Sequence, residues 1–459
     1  MADPERAWSN NLTPLRLLDP RHAASPLDED PLSEWCGSVT GDRMRAGIDL
    51  WSAIKRTVRD PLLGRNIWFA KLPPEMGRSE AIEVFVRVNE SSTVIRKFDI
   101  AVAEFDRGGR RYSLREEISR WAEQNTHCES FFGPDDEKMI PRVGELILKV
   151  ACLQENKTPA DKHFTTKEVI GRLSRDDGLK DIFNGIAWTF EFLAHERIWK
   201  DKYLPSTVPL RVLPALWPQF RDIADQSDLE GVSRRYLRAY LWRAFITDRY
   251  AAAVATRLRE DFNGIKNVLP KLEQLPDPMR ELRKTVPIFS TPLPDIEVLH
   301  DLEEPLAPPT RKNALSRALL AATLQKGAQD FGSGETVSSS NVGGREAHHL
   351  FPKAYLKSSR PAVTEAKRIN HCLNYALVSG PTNRRIAAKA PLQYLRDRYE
   401  QDGQLGENEL KRRVESHLIP FGALAVRGTE ADGGYKKFLV ERAGLVRSAI
   451  ENLTEGQPL

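Results

Sequence analysis

Apolar residues recur at intervals of three and four through much of the chain. Ile140, Val143, Leu146, Ile147 and Val150 form one such stripe; Ile182, Phe183, Ile186, Phe190 and Leu193 form a second, and Tyr236–Ala253 carries a third. That spacing puts side chains on one face of a helix. The segment from about Lys138 to Tyr250 is therefore expected to be helical, with its aromatic and aliphatic residues making core rather than a cofactor pocket. Shorter helices are expected at Arg43–Val58, Ser79–Asn89, Phe98–Phe105 and Lys312–Lys326, and a strand over Asn66–Leu72 that Pro73 and Pro74 end. Residues 266–310 hold 9 of the 30 prolines, a density that breaks helices and marks an irregular connector. The pattern then changes. HHLF, from His348, reads as a short strand stopped by Pro352. Cys372–Ser379 reads as a second strand, and a helix starts at Pro381 with Ser379 or Thr382 near its N-cap. The loop Phe331–Gly344 that leads into this element is small and polar, and is read as mobile and able to gate it.

The fold class expected from these elements is α+β and predominantly helical. Three parts are expected: residues 1–135, an α+β segment; residues 136–310, a helical middle with its Pro-rich connector; and residues 311–459, a ββα element embedded in helices.

Composition narrows the picture only a little. Hydrophobic residues are 41% and charged residues 29% of the 459, as in an ordinary globular protein. No uninterrupted apolar run is long enough to span a bilayer, and the opening residues lack the charged-then-apolar order of a secretory signal. A cytoplasmic protein without a membrane partner is expected. Cys36, Cys128, Cys152 and Cys372 are far apart and form no CxxC pair, which argues against a zinc ribbon or a disulfide framework. The net charge of +4 hides an asymmetry. Residues 311–400 carry 15 Lys/Arg against 6 Asp/Glu, a net of +9, so the remainder of the chain is −5. A basic segment of this kind suits a polyanion. Phosphate-loop, dinucleotide, serine-hydrolase and zincin motifs are absent from the sequence.

The candidate chemistry lies in that basic segment, in EAHHLFPKAYL from Glu346 and INHCLNYALVSGPTNRR from Ile369. Neighbouring strand residues point to opposite faces, so His348 and His349 are not expected to do the same job. One neutral imidazole can take a proton from water. A second imidazole and an asparagine can hold one divalent cation, leaving positions for water and phosphate. Lys353, Arg384, Arg385 and Lys389 offer positive charge to flanking phosphates. The combination suits phosphodiester hydrolysis. The isolated His22, His127, His163 and His195 are read as structural.

At these residues the chain resembles the HNH (ββα-metal) nuclease domain at the C-terminal end of GmrSD-type, type IV restriction enzymes. The matching positions are His348, His349, the Leu350-Phe351-Pro352 run, Asn374-Tyr375-Ala376-Leu377, Asn383 and the tail Pro391-Leu392-Gln393-Tyr394-Leu395. The spacing from Asn374 to Asn383 also matches the HNH domain of CRISPR effector nucleases. The resemblance implies His349 as general base, Asn374 orienting its imidazole, His348 and Asn383 as ligands of Mg²⁺ or Mn²⁺, and DNA as substrate, in restriction of phage or modified DNA. Phe85, Arg87, Asn89, Ser91-Ser92-Thr93 and Asp99 resemble the second half of the same family's ParB/sulfiredoxin-like N-terminal domain. That implies a nucleotide-facing role for Arg87 and Asn89. The D-G-Q-Q-R motif of that domain is absent from the sequence, so a partner chain supplying the missing half is one expectation. The alternative to a nuclease is a catalytically inactive DNA-binding or regulatory subunit.

Overall fold

The computed structural model describes residues 30–40, 44–63, 76–77, 80–81, 84, 96–108, 111–223, 227–295, 301, 313–359, 362–401, 405–424 and 431–459. The chain divides into two compact units, Met1–Val84 and Phe85–Leu459. In the first, helices Pro31–Thr40 and Met44–Ile54 bury Leu32, Trp35 and Cys36 against Leu50, Trp51 and Ile54. The Asp30 carboxylate ties them by accepting from Trp51 Nε1 at 2.8 Å and from Arg59 at 2.5 Å. The strand expected over Asn66–Leu72, and most of the helix expected over Ser79–Asn89, with Arg87 and Asn89, lie outside the described residues.

In the second unit, helix Lys97–Asp106 forms where periodicity places it. Asp99 closes its first turn by accepting from the Arg96 N–H at 2.8 Å, so this carboxylate caps a helix. The long apolar stripes become α1 (Asp136–Gln154), α2 (Asp176–His195) and α3 (Ser227–Ile246). The third stripe is shorter than expected: α3 stops at Ile246, and Ala253, at φ +50°, opens a separate helix, Val254–Val268. The Pro-rich stretch is also more regular than expected as far as Ser290. Pro278 and Pro287 each sit at the start of a short helix, where a missing N–H costs nothing and the fixed φ is already helical.

The expected boundaries at 135/136 and 310/311 fall inside this unit. The reason is visible at Glu196, which is fully buried at the end of α2. Its carboxylate accepts from Arg238 (2.7 Å) and Trp242 Nε1 (3.1 Å), both on α3. It also accepts from Gln325 Nε2 (2.8 Å), at the end of α4 (Ala314–Gln325). A buried charge held this way joins three helices that the sequence assigned to two domains.

Beyond α4 come β1 (Arg345–His349) and β2 (Tyr375–Ser379), antiparallel, with His348 opposite Ala376 and His349 opposite Tyr375. Helix α5 (Gly380–Ile386) follows at once, capped by Ser379, whose hydroxyl accepts from Thr382 N at 3.4 Å. Helices α6 (Pro391–Gln401), α7 (Glu407–Glu415) and α8 (Ala431–Thr454) complete the unit. Both strands are shifted from expectation: β1 begins at Arg345, and Cys372–Asn374 is a tight turn rather than strand. Arg442 of α8 is buried and donates to the carbonyls of Leu373, Tyr375 (2.8 Å), His417 (3.1 Å) and Leu418 (3.2 Å). One guanidinium thus holds the start of β2 against the last helix. Among the described residues no helix is long and apolar enough to cross a membrane.

Candidate functional site

The site is built on the excursion between the two strands. Asn374 sits at its base, fully buried. Its amide accepts from Phe351 N at 2.8 Å and donates to the carbonyls of Phe351 (3.1 Å) and Ile369 (2.9 Å). Leu350 N also donates to the Asn374 carbonyl, at 2.8 Å. These bonds close the excursion like a clasp. Phe351 packs beneath it on Tyr435 and Phe438 of α8, and the Tyr394 hydroxyl of α6 donates to Leu350 O at 2.9 Å. The expectation that Asn374 orients the His349 imidazole is thereby corrected: its side chain bonds backbone on both sides of the excursion. The amide that meets His349 is the one this clasp positions, Asn370.

His349 Nε2 lies 2.9 Å from Asn370 Oδ1, which also accepts from the Tyr375 hydroxyl at 3.3 Å. An amide oxygen only accepts, so Nε2 carries the proton and Nδ1 keeps a lone pair. The Tyr375 ring packs along the imidazole at 4.4 Å. Burial pushes His349 below the ordinary histidine range; the Asn370 bond pulls it back, and the charge of Lys353 lowers it again. The result is an imidazole that is neutral at pH 7 with one nitrogen able to take a proton.

His348 is set apart from it. The two rings are 6.3 Å apart and 80° out of plane, as opposite strand faces require. His348 Nε2 is occluded and has no hydrogen-bond partner among the described residues, and burial, with His349 beside it, holds this imidazole below its ordinary range too. A buried ring nitrogen without a partner is costly. Asn383 of α5 donates from Nδ2 to Glu346 Oε2 at 2.9 Å, so its Oδ1 is not used in that bond. An imidazole nitrogen and an amide oxygen fit a divalent cation, with water and phosphate oxygens completing its shell. Among the described residues no group of three or more His, Cys, Asp or Glu is gathered closely enough to hold a metal.

The loop Phe331–Gly344, expected to be mobile, is anchored at its start by Asp330, the residue just before it. Asp330 is fully buried and pairs with Arg345 at 2.9 Å. It also accepts from the backbone N–H groups of Gly332 (3.0 Å), Ser333 (2.9 Å) and Ser379 (2.7 Å), and from Thr382 Oγ1 (2.6 Å). Burial alone would raise its carboxyl; the bonds from Thr382, Ser333 and Ser379 outweigh this and hold it at about 2. Asp330 thus fastens the loop, the start of β1 and the first turn of α5 to one point. A Cβ on Gly332 would fall 2.4 Å from Thr382 Oγ1, so this approach requires glycine.

His417 supports the same loop from behind. It is fully buried, donates from Nε2 to Gln329 O at 2.7 Å, and meets the Phe331 ring edge-on at 5.0 Å. Burial pushes it down to about 4; the bond to Gln329 and the Asp330 charge oppose this, while Arg442 and Arg345 reinforce it. A histidine depressed in the folded state favours folding fully above its unfolded value of ~6.5, and that contribution is lost as pH falls toward the folded value. By pH 5 the loss is expected to reach about 2 kcal/mol. His417→Gln keeps an N–H donor without the titration. Melting temperatures of the two proteins from pH 7 to 4.5 check this: parallel curves would rule it out.

Of the expected phosphate contacts, Lys353, Arg384 and Arg385 are exposed around the site. Lys389 is paired with Asp397 at 2.6 Å. Three residues went unassigned in the sequence. Glu346 shares a strand face with His348, two positions away, and that period was readable. Asp330 precedes Gly332 and Ser333 in an Asx-turn pattern. Asn370 has no local signal, because the clasp through Asn374 is what brings it to His349.

No family model matches the chain. A protein of Methanocaldococcus jannaschii described as uncharacterised is 18% identical over 350 residues, covering 74% of this chain and 54% of its own length. The chain therefore spans about half the length of the curated relative it matches.

Proposed function

We propose that this protein is a metal-dependent DNA endonuclease or nickase in which His349 activates water for phosphodiester hydrolysis. The observation that carries the reading is the 2.9 Å contact between His349 Nε2 and Asn370 Oδ1, which an amide oxygen makes with a protonated nitrogen. Asn370 Oδ1 accepts a hydrogen bond from the protonated Nε2, which leaves Nδ1 to accept a proton from water at neutral pH. His348 and Asn383 would hold Mg²⁺ or Mn²⁺; such an ion stabilises charge building on the phosphate and the leaving oxygen. Arg384, Arg385 and Lys353 would meet the flanking phosphates, which carry most of the affinity for DNA and make it salt-dependent. A role in restricting phage or modified DNA rests on the resemblance alone.

The test is plasmid cleavage by the full chain with Mg²⁺, Mn²⁺ or EDTA. Nicked or linear product is expected with either ion and none with EDTA. Salt-sensitive binding of plain and modified DNA with no cleavage under any of these conditions would sink the nuclease reading and leave a binding or regulatory subunit.

A further inference from the structure

His348 and Asn383 alone make a weak site for the cations just named. Both are neutral ligands, one of them nitrogen. Hard divalent cations are held chiefly by oxygen, and by carboxylate above all. The strand supplies what is missing. Glu346 lies two residues before His348, so period two puts both on one face of β1. Glu346 Oε2 accepts from Asn383 Nδ2 at 2.9 Å across the strand–helix junction. That bond settles which way the Asn383 amide faces: the nitrogen is committed to Glu346, and the oxygen is left for another partner.

We infer that Glu346 governs cation binding at this site, by adding negative charge beside His348 and by holding Asn383 with its amide oxygen free for the ion. The inference rests on the metal-site reading above and adds a residue to it. It explains why an exposed carboxylate on a strand in a basic segment is bonded to an asparagine rather than to one of the neighbouring arginines. Removing the charge while keeping an acceptor for Asn383 (Glu346→Gln) weakens the ion's hold. Removing both (Glu346→Ala) weakens it further.

The experiment is calorimetric titration of the metal-stripped full chain with Mn²⁺, without DNA. Wild type is expected to bind one ion. Glu346→Gln is expected to bind it about tenfold more weakly, and Glu346→Ala toward 100-fold, the range for groups that orient metal ligands. Glu346 is exposed, so both variants are expected to melt with the wild type, which circular dichroism checks. Wild-type affinity in Glu346→Gln and Glu346→Ala would overturn the inference and leave the nuclease reading standing. No Mn²⁺ binding by wild type would overturn the inference together with the metal site itself.

Discussion

His349→Ala is expected to lower the rate of metal-dependent DNA cleavage by roughly 10²–10⁴-fold, the usual contribution of a positioned general base. The argument is geometric. Asn370 Oδ1 can only accept, so the 2.9 Å contact fixes the proton on Nε2. Nδ1 is then the nitrogen available to water. Burial, and after it the charge of Lys353, lower the basicity of the ring against the opposing Asn370 bond, which favours the neutral form without removing its lone pair. Alanine deletes this nitrogen but leaves Lys353, Arg384 and Arg385 in place, so DNA affinity is expected to change by less than about threefold, since phosphate contacts dominate it. Mn²⁺ affinity is also expected to hold, because His348 lies on the other strand face, 6.3 Å away ring to ring. Initial nicking rates at saturating protein, with DNA binding measured in parallel, check both halves. Cleavage by His349→Ala within threefold of wild type would remove His349 from the base position.

Much of the scaffold around this site was legible because it obeys local rules. The stripes in α1 and α2 have a helical period, so they were readable without any knowledge of their partners. Ser379 before Gly380-Pro381 announced the start of α5. The strand–strand–helix order followed from the same local signals. What failed was whatever depends on residues far apart in sequence. Glu196, Arg238 and Gln325 merge two expected domains through one buried carboxylate, and the contact spans more than a hundred residues. The prolines of the connector looked like breakers because their position within a turn was not known. Placed first in a helix, the same residue favours it.

The site shows the same division. His348 and His349 stand out in the sequence by adjacency, and their separation onto two faces follows from strand geometry. Asn374 was recognised too, but its role was misread. An asparagine at the end of a hairpin excursion can orient a side chain or clasp backbone, and only the positions of Phe351 and Ile369 decide which. Once it clasps, Asn370 is delivered to His349 as a consequence. The Phe331–Gly344 loop takes its anchor from a single residue just outside it, Asp330. Its Gly and Ser content looks mobile until Asp330 is included, and then the same glycines are what let the backbone close on that carboxylate.

Asp330→Ala is accordingly expected to be the most damaging substitution outside the reacting groups, costing about 3–5 kcal/mol of folding stability, the range for breaking a buried ion pair by removing one partner. Arg345 is 2% exposed and, among the described residues, would keep only Glu335 as a carboxylate partner, itself largely in solvent, at 2.6 Å. The N–H groups of Gly332, Ser333 and Ser379 would lose their shared acceptor as well. Asp330→Asn preserves shape and part of the hydrogen bonding but not the charge, so it is expected to fall between the two. The effect on function follows from what Asp330 fastens. Ser379 and Thr382 begin α5, and Arg345 begins β1, so loosening this point separates Asn383 from Glu346 and His348. Mn²⁺ affinity in Asp330→Asn is therefore expected to fall although Asp330 bonds none of these three residues. Thermal melts of both variants, with Mn²⁺ titration of whichever remains folded, decide the matter. A melting temperature for Asp330→Ala within a degree of wild type would mean that other contacts hold the loop and the starts of β1 and α5, and that Asp330 is not their anchor.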